Sequence, residues 1–269
     1  MNAPTMAELV GLPLGSRSVL YDDRDVMLYA LAVGAHATDL ELVYERDLRV
    51  LPTFALPLGL WAVEAAGELG TYDRSKSLHI GQELSMRRTI PTSGSLDMAG
   101  TISNVWDKGS AALVEIAVTS EYFTTSYLIY VPGAGGFGGQ RGTSTSDSVL
   151  TDLPSWTTKV VTTQDQAALY RLTGDRHPVH IDPELARESG FERPILHGLC
   201  TLGALVLEVA RVQDRSPLEV SELTARFSAP VLPGATILVS GWTSDDETSY
   251  VASIGSVETV LSGRLRLAQ

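Results

Sequence analysis

The sequence predicts an α+β fold made twice over: a helix followed by several antiparallel strands, then the same order again. Three observations carry this. Tyr-x-Leu occurs at Tyr29-Ala30-Leu31 and again at Tyr170-Arg171-Leu172, 141 positions apart (170 − 29). Pro52 and Pro194, each ahead of an apolar helical run, are 142 apart (194 − 52), and Gly94 and Gly234, each closing a proline turn, are 140 apart (234 − 94). Identity between the halves is slight, so the shared offset and order mark the duplication, not any single match. The 269 residues are 44% hydrophobic, which supplies a sizeable core and argues against disorder.

In the first half, Asp22, Asp23 and Asp25 form an acidic helix start, residues 26–33 an apolar helix, and Gly34 its C-cap. Pro52 introduces residues 54–66, which can be helical once past Pro57. Turn-separated strands follow at about 96–106, 111–119 and 126–131, the first two joined by Asp107-Lys108-Gly109-Ser110. The second half repeats this. Asp165 precedes a helix at 167–172 that stops at Gly174, and Pro194 precedes a helix at 199–212. Strands are expected at about 222–229, 236–243, 250–254 and 257–267. Each repeat is therefore one long central helix wrapped by an antiparallel sheet. A lone repeat would bare a sheet edge, and pairing two repeats edge to edge removes it. The expected organisation is a first repeat over 1–132, a Gly/Ser/Thr-rich linker over 133–155 and a second repeat over 156–269. The linker glycines lack GxxxxGK[ST] spacing and a following helix, which argues against a phosphate loop.

Twenty Lys and Arg against 32 Asp and Glu give a net charge of −12, so nucleic acid is an unsuitable partner. The one cysteine, Cys200, excludes an internal disulfide framework and fits a reducing compartment. No apolar run approaches the ~20 residues that span a bilayer, so no membrane partner is expected. The N-terminus lacks a basic-then-apolar secretory pattern, and Leu267-Ala268-Gln269 is not a Ser-Lys-Leu address, which points to a cytoplasmic protein.

Chemistry-bearing residues concentrate between 174 and 200. In Gly174-Asp175-Arg176-His177-Pro178-Val179-His180-Ile181-Asp182, Gly174 ends one helix and Asp182-Pro183 begins another. Asp175, His177 and His180 thus lie on a short loop pinned at both ends, the rigid setting that proton transfer needs. In Arg193-Pro194-Ile195-Leu196-His197-Gly198-Leu199, Gly198 opens an apolar helix. Its N–H has no partner within the helix and lies at the positive end of the dipole, as an oxyanion donor should. Plainer readings stand beside these. Asp175 could simply cap or pair, His180 could be a structural histidine, and His177, His180, His197 and Cys200 could be zinc ligands, although supporting ligand spacings elsewhere are missing. Cys200, inside an apolar helix, reads as a small buried residue.

The stretch from Tyr170 to Asp182 closely resembles the signature of the (R)-specific enoyl-CoA hydratases, also called hydratase 2 or MaoC-like dehydratases. Pro194-Ile195-Leu196-His197-Gly198-Leu199-Cys200 resembles the family's second signature. Likeness to the long, two-hotdog members extends through Leu51-Pro52-Thr53-Phe54, the Asp107–Ser110 turn and Ala225-Arg226-Phe227. The resemblance implies a double hotdog fold, a homodimer, an acyl-CoA thioester substrate and no metal or other cofactor. It also implies reversible syn hydration of a trans-2-enoyl-CoA to a (3R)-3-hydroxyacyl-CoA. Asp175 and His180 would hold the catalytic water, and His177, Lys108, Phe227, His79 and its neighbour Ile80 would contact the substrate with Gly198. The first half has Val33-Gly34-Ala35-His36 where the signature would fall, so one active site per chain is expected, with the first half shaping an acyl pocket. Two departures stand out: His177 replaces the family's usual Asn, and His79-Ile80-Gly81-Gln82 replaces its His-Gly-Glu-Gln. Acyl-CoA thioester hydrolysis and non-catalytic acyl-CoA binding are the alternatives. The acyl group and the physiological direction are not readable from the residues. CoA phosphates need only a few local cations, which Lys108, Arg88, Arg176 or Arg226 could supply within an acidic whole.

Overall fold

Apolar residues at every second position build the strands, as in β5 below, where buried and half-buried residues alternate along nearly its whole length. A computed structural model describes residues 3–142, 153–255 and 258–268. Its ten strands are β1 (Pro13–Tyr21), β2 (Leu78–Met86), β3 (Gly94–Asp107), β4 (Ala111–Ser120), β5 (Phe123–Pro132), β6 (Trp156–Val161), β7 (Val220–Phe227), β8 (Thr236–Ser244), β9 (Glu247–Ile254) and β10 (Glu258–Leu267). They form one antiparallel sheet in the order β1-β3-β4-β5-β2-β7-β10-β9-β8-β6. From the outer edge to the middle, the first half runs first, third, fourth, fifth, second strand, and the second half repeats that order. The halves meet at β2 and β7, from Gly81 opposite Arg226 to Ser85 opposite Glu222. This is the double hotdog architecture, with the two repeats joined edge to edge.

Among the described residues, seven α-helical segments accompany the sheet: α1 (Asp23–Ala32), α2 (Leu40–Val43), α3 (Ala55–Gly59), α4 (Trp61–Glu68), α5 (Gln166–Tyr170), α6 (Pro183–Glu188) and α7 (Gly198–Val212). Asp22 and Asp25 form a reciprocal capping box on α1, and Gly34 takes φ +97° just beyond it. In the second half the central helix is continuous: α7 buries eleven of its fifteen residues. The first half departs from the expected single long helix. Its helical run begins ahead of Pro57 and breaks at Leu60. The Tyr127 hydroxyl donates to the Leu56 carbonyl at 2.6 Å, the acceptor an α-helix would offer Leu60, and the Leu60 N–H donates to Pro57 instead.

Gly203 lets α1 and α7 come together, because a Cβ there would lie 2.6 Å from Val33 Cγ1. Cys200 Sγ and Gln166 Nε2 both donate to the Ala32 carbonyl, adding two polar ties between the halves. The glycine-rich stretch expected as linker is folded over its described part. Asp107 accepts the N–H groups of Gly109, Gly136 and Gly138 at 2.8 to 2.9 Å, and these bonds, that from Gly136 first, hold its carboxyl below the usual range. The Thr/Ser run that follows lies outside the described residues, as does Val257 at the expected start of the last strand.

Candidate active site

Local turn chemistry places each group of the 174–182 loop. Gly174, at φ +137°, ends the helical turn after α5. One residue on, Asp175 Oδ1 accepts the His177 N–H at 3.1 Å. His177 Nδ1 accepts the Val179 N–H at 3.4 Å, starting a single turn of 3₁₀ helix with Pro178 at its first position. That turn delivers His180. Asp182 then caps α6, accepting from Glu184 and Leu185.

The second loop fixes the imidazole. His180 Nδ1–H donates to the Ile195 carbonyl at 2.9 Å, which leaves the lone pair on Nε2. His197 stacks on His180 with ring centroids 3.7 Å apart and planes 28° from parallel. Its Nε2–H donates to the main-chain carbonyl of Asp175 at 3.2 Å. One ligand-type atom from each of Asp175, His180 and His197 lies within 4.8 Å of the others. A divalent ion could bridge that spacing, but near-parallel stacked rings aim their in-plane lone pairs side by side and not at one point.

Strand β2 completes the cluster from the other half. Its pairing with β5 slips between His79 and Gly81, so Ile80 is the extra residue of a bulge, and a bulge re-aims the side chains beside it. His79 Nε2–H donates to the Gly81 carbonyl at 2.8 Å, and its ring lies 5.0 Å from Phe227 at the end of β7. Gly198 meets the same phenyl ring, since a Cβ there would be 3.1 Å from Phe227 Cε1. As the first residue of α7, Gly198 has an N–H without an intrahelical acceptor.

Burial governs the protonation of these imidazoles. It lowers His180 below its ordinary value, with Asp175 and the Ile195 bond opposing. It takes His197 to about 3 and His79 to about 4. All three rings are neutral bases near pH 7. Burial also pushes the Cys200 thiol up, consistent with an inert core residue.

The fold thus brings together Asp175, His180, His79, Gly198 and Phe227, with His177 on the exposed rim, its ring 6.2 Å from His180. Lys108 stands apart, on the β3–β4 turn, with Nζ donating to the Arg141 carbonyl. Among the described residues no hydrogen bond or ion pair joins it to the cluster. Arg88 is paired with Glu121 beyond the far end of β2, roughly 30 Å along the strand from His79 at ~3.3 Å per residue. In the first half, His36 is exposed, and its N–H and Arg211 both donate to Asp39, so no second Asp–His pair forms there. Sequence reasoning considered His197 only as a metal ligand. Its place directly before Gly198 in the second signature was the available signal.

Comparisons with known proteins bear on the family and the fold. Residues 149–262 match the MaoC like domain, and residues 20–131 match the MFE-2 hydratase 2 N-terminal domain. The chain is 36% identical to the enoyl-CoA hydratase ChsH3 of Mycobacterium tuberculosis over 263 residues, covering 89% of this chain and 90% of that protein. It is also 36% identical to the peroxisomal multifunctional enzyme type 2 of Drosophila melanogaster, over 90% of this chain but 45% of that enzyme. The chain therefore spans less than half of this multifunctional relative. A MaoC-like dehydratase from Phytophthora capsici superposes with a TM-score of 0.87 over 99% of both chains at 22% identity, a likeness of fold. With both halves matched in order and nearly all of ChsH3 spanned, the chain belongs to the MaoC-like, hydratase 2 family.

Proposed function

We propose that this protein catalyses the reversible syn hydration of a trans-2-enoyl-CoA to a (3R)-3-hydroxyacyl-CoA, with Asp175 and His180 as the catalytic pair. One observation carries the reading: a carboxylate and a neutral imidazole, its tautomer set by Ile195, lie on one short loop beside the N-terminus of α7. A water between them can donate one hydrogen to Asp175 and the other to His180 Nε2, leaving an oxygen lone pair for C3 of the substrate. The proton the water gives up is then available to C2 from the same side, which makes the addition syn. Negative charge passing through the thioester oxygen falls to the Gly198 N–H. His79 and Phe227 would wall the reacting end of the acyl chain, with His177 and Lys108 contacting the CoA side. The relatives' names, enoyl-CoA hydratase among them, support the same substrate class. As a cytoplasmic homodimer, the expected state, it would carry two such sites.

The test mixes the protein with crotonyl-CoA and a longer enoyl-CoA and follows enoyl absorbance and free thiol together. Loss of absorbance without thiol is expected. Release of thiol would instead make the protein a thioesterase, and no change in either signal would make it an acyl-CoA binder.

A further inference from the structure

We propose that His197 is a positioning residue that holds the Asp175–His180 pair in register with the Gly198 N–H. This rests on the hydratase reading above and adds a part to it.

Three contacts converge on this one side chain and its peptide. The imidazole face lies against His180 at 3.7 Å, its Nε2–H holds the main chain of Asp175 at 3.2 Å, and the next peptide nitrogen is that of Gly198. The base pair and the oxyanion donor sit on different loops, 174–182 and 193–198, so their separation depends on what ties the loops together. The other ties described are the His180 bond to Ile195 and the Ile195 N–H bond to Val179 at 3.4 Å. His177 also bonds both catalytic residues, through its N–H to Asp175 and its carbonyl to the His180 N–H, but it lies on their own loop. His197 touches them from the other loop and is joined to the donor by one bond of the chain. It is itself packed on several sides. Its carbonyl accepts both the N–H and the hydroxyl of Thr201, the Tyr170 ring lies 4.8 Å away, and only 1% of its surface is exposed.

The same geometry argues against proton transfer by His197. With Nε2–H committed to the Asp175 carbonyl, Nδ1 carries a buried lone pair that has no partner among the described residues. A proton there would be an unpaired charge against His180 and Arg171, offset only by Asp175. The groups acting on His180 are Asp175, the Ile195 carbonyl and His177, beside the stacked His197 ring; His79 faces Asp175 from β2. His197 therefore works through placement.

The experiment compares wild type, His197→Phe and His197→Gln, measuring kcat and KM for crotonyl-CoA hydration, thermal midpoint, and the NMR titration of His180. The phenyl ring keeps the stack and loses the donor, whereas the amide keeps a donor and loses the stack. In both variants kcat should fall about 10- to 100-fold, the cost of an ångström-scale misplacement, with KM within about threefold. In His197→Gln, water reaches His180, and its titration should rise toward the ordinary value of about 6.5. The proposal is overturned if both variants keep kcat within about twofold of wild type. It is equally overturned if kcat falls only as folded protein is lost while His180 in His197→Gln titrates as in wild type. Should the wild type itself fail to hydrate enoyl-CoA, the hydratase reading falls, and the His180 titration alone still decides whether His197 governs that ring.

Discussion

In the proposed mechanism Asp175 and His180 divide the handling of one water molecule, and the two can be tested apart. Asp175→Asn removes the carboxylate acceptor while keeping shape, so kcat should drop by about 10²- to 10⁴-fold, the usual worth of a positioned acid or base. Because, among the described residues, the Asp175 carboxylate holds only the adjacent His177 N–H, the thermal midpoint should stay within a few degrees. Steady-state kinetics beside a melting curve check both. His180 gives a pH signature. Addition of water needs its neutral form, and burial lowers its proton affinity. The acid limb of kcat/KM should therefore fall below the ordinary histidine value of about 6.5, with the rate flat from pH 8 down to that point. A rate already declining above pH 6.5 would contradict a buried neutral base. At this scale the sequence was most readable where turn chemistry is strongest. Gly174, Pro178 and the Asp182-Pro183 cap placed Asp175 and His180 on one short segment between two helical elements, where the structure has them. The stacking of His197 on His180 was not readable, because it joins residues that meet only through the packing of two loops.

Helices and strands set the distances that side chains cannot. The close crossing of α1 and α7 depends on Gly203, where a Cβ would lie 2.6 Å from Val33 Cγ1 and 3.1 Å from the Tyr29 hydroxyl. Gly203→Ala should destabilise by about 1–3 kcal/mol through overpacking, seen as a lower denaturant midpoint; an unchanged midpoint would mean that α1 can shift freely. Elements with strong alternation, β3 to β5 and β7 to β10, were legible within a few residues. The outer strands β1 and β6 were missed: β1 exposes most of its residues and loses the alternating signal, and the short β6 alternates but fully buries only Val160. β2 was missed because its bulge at Ile80 breaks the period of two. The break at Leu60 escaped for another reason. It is made by Tyr127, 71 residues away in the chain from the Leu56 carbonyl it occupies, and no local pattern encodes that contact.

Across the whole molecule, the proposed function gives one duplicated half the chemistry and the other the walls of the site. The strand order repeats between halves, the repeats join at β2 and β7, and His79 reaches the site from the half without an Asp–His pair. The halves should therefore be interdependent. Expressed alone, residues 156–269 would bare β7 as an unpaired edge and should self-associate, which light scattering would detect; a stable inactive monomer would show that the junction is dispensable. An acidic chain of net charge −12 remains compatible with a CoA ester, because the reacting end of the site is built from imidazoles, a carboxylate, a phenyl ring and a helix terminus, with cations needed only farther along the ligand. The central claim, water delivered to one face of C3 by Asp175 and His180, is tested most directly by the configuration of the alcohol formed from crotonyl-CoA. Chiral analysis of the 3-hydroxybutyryl-CoA should give the 3R product. The 3S alcohol, or loss of crotonyl-CoA without any alcohol, would contradict it.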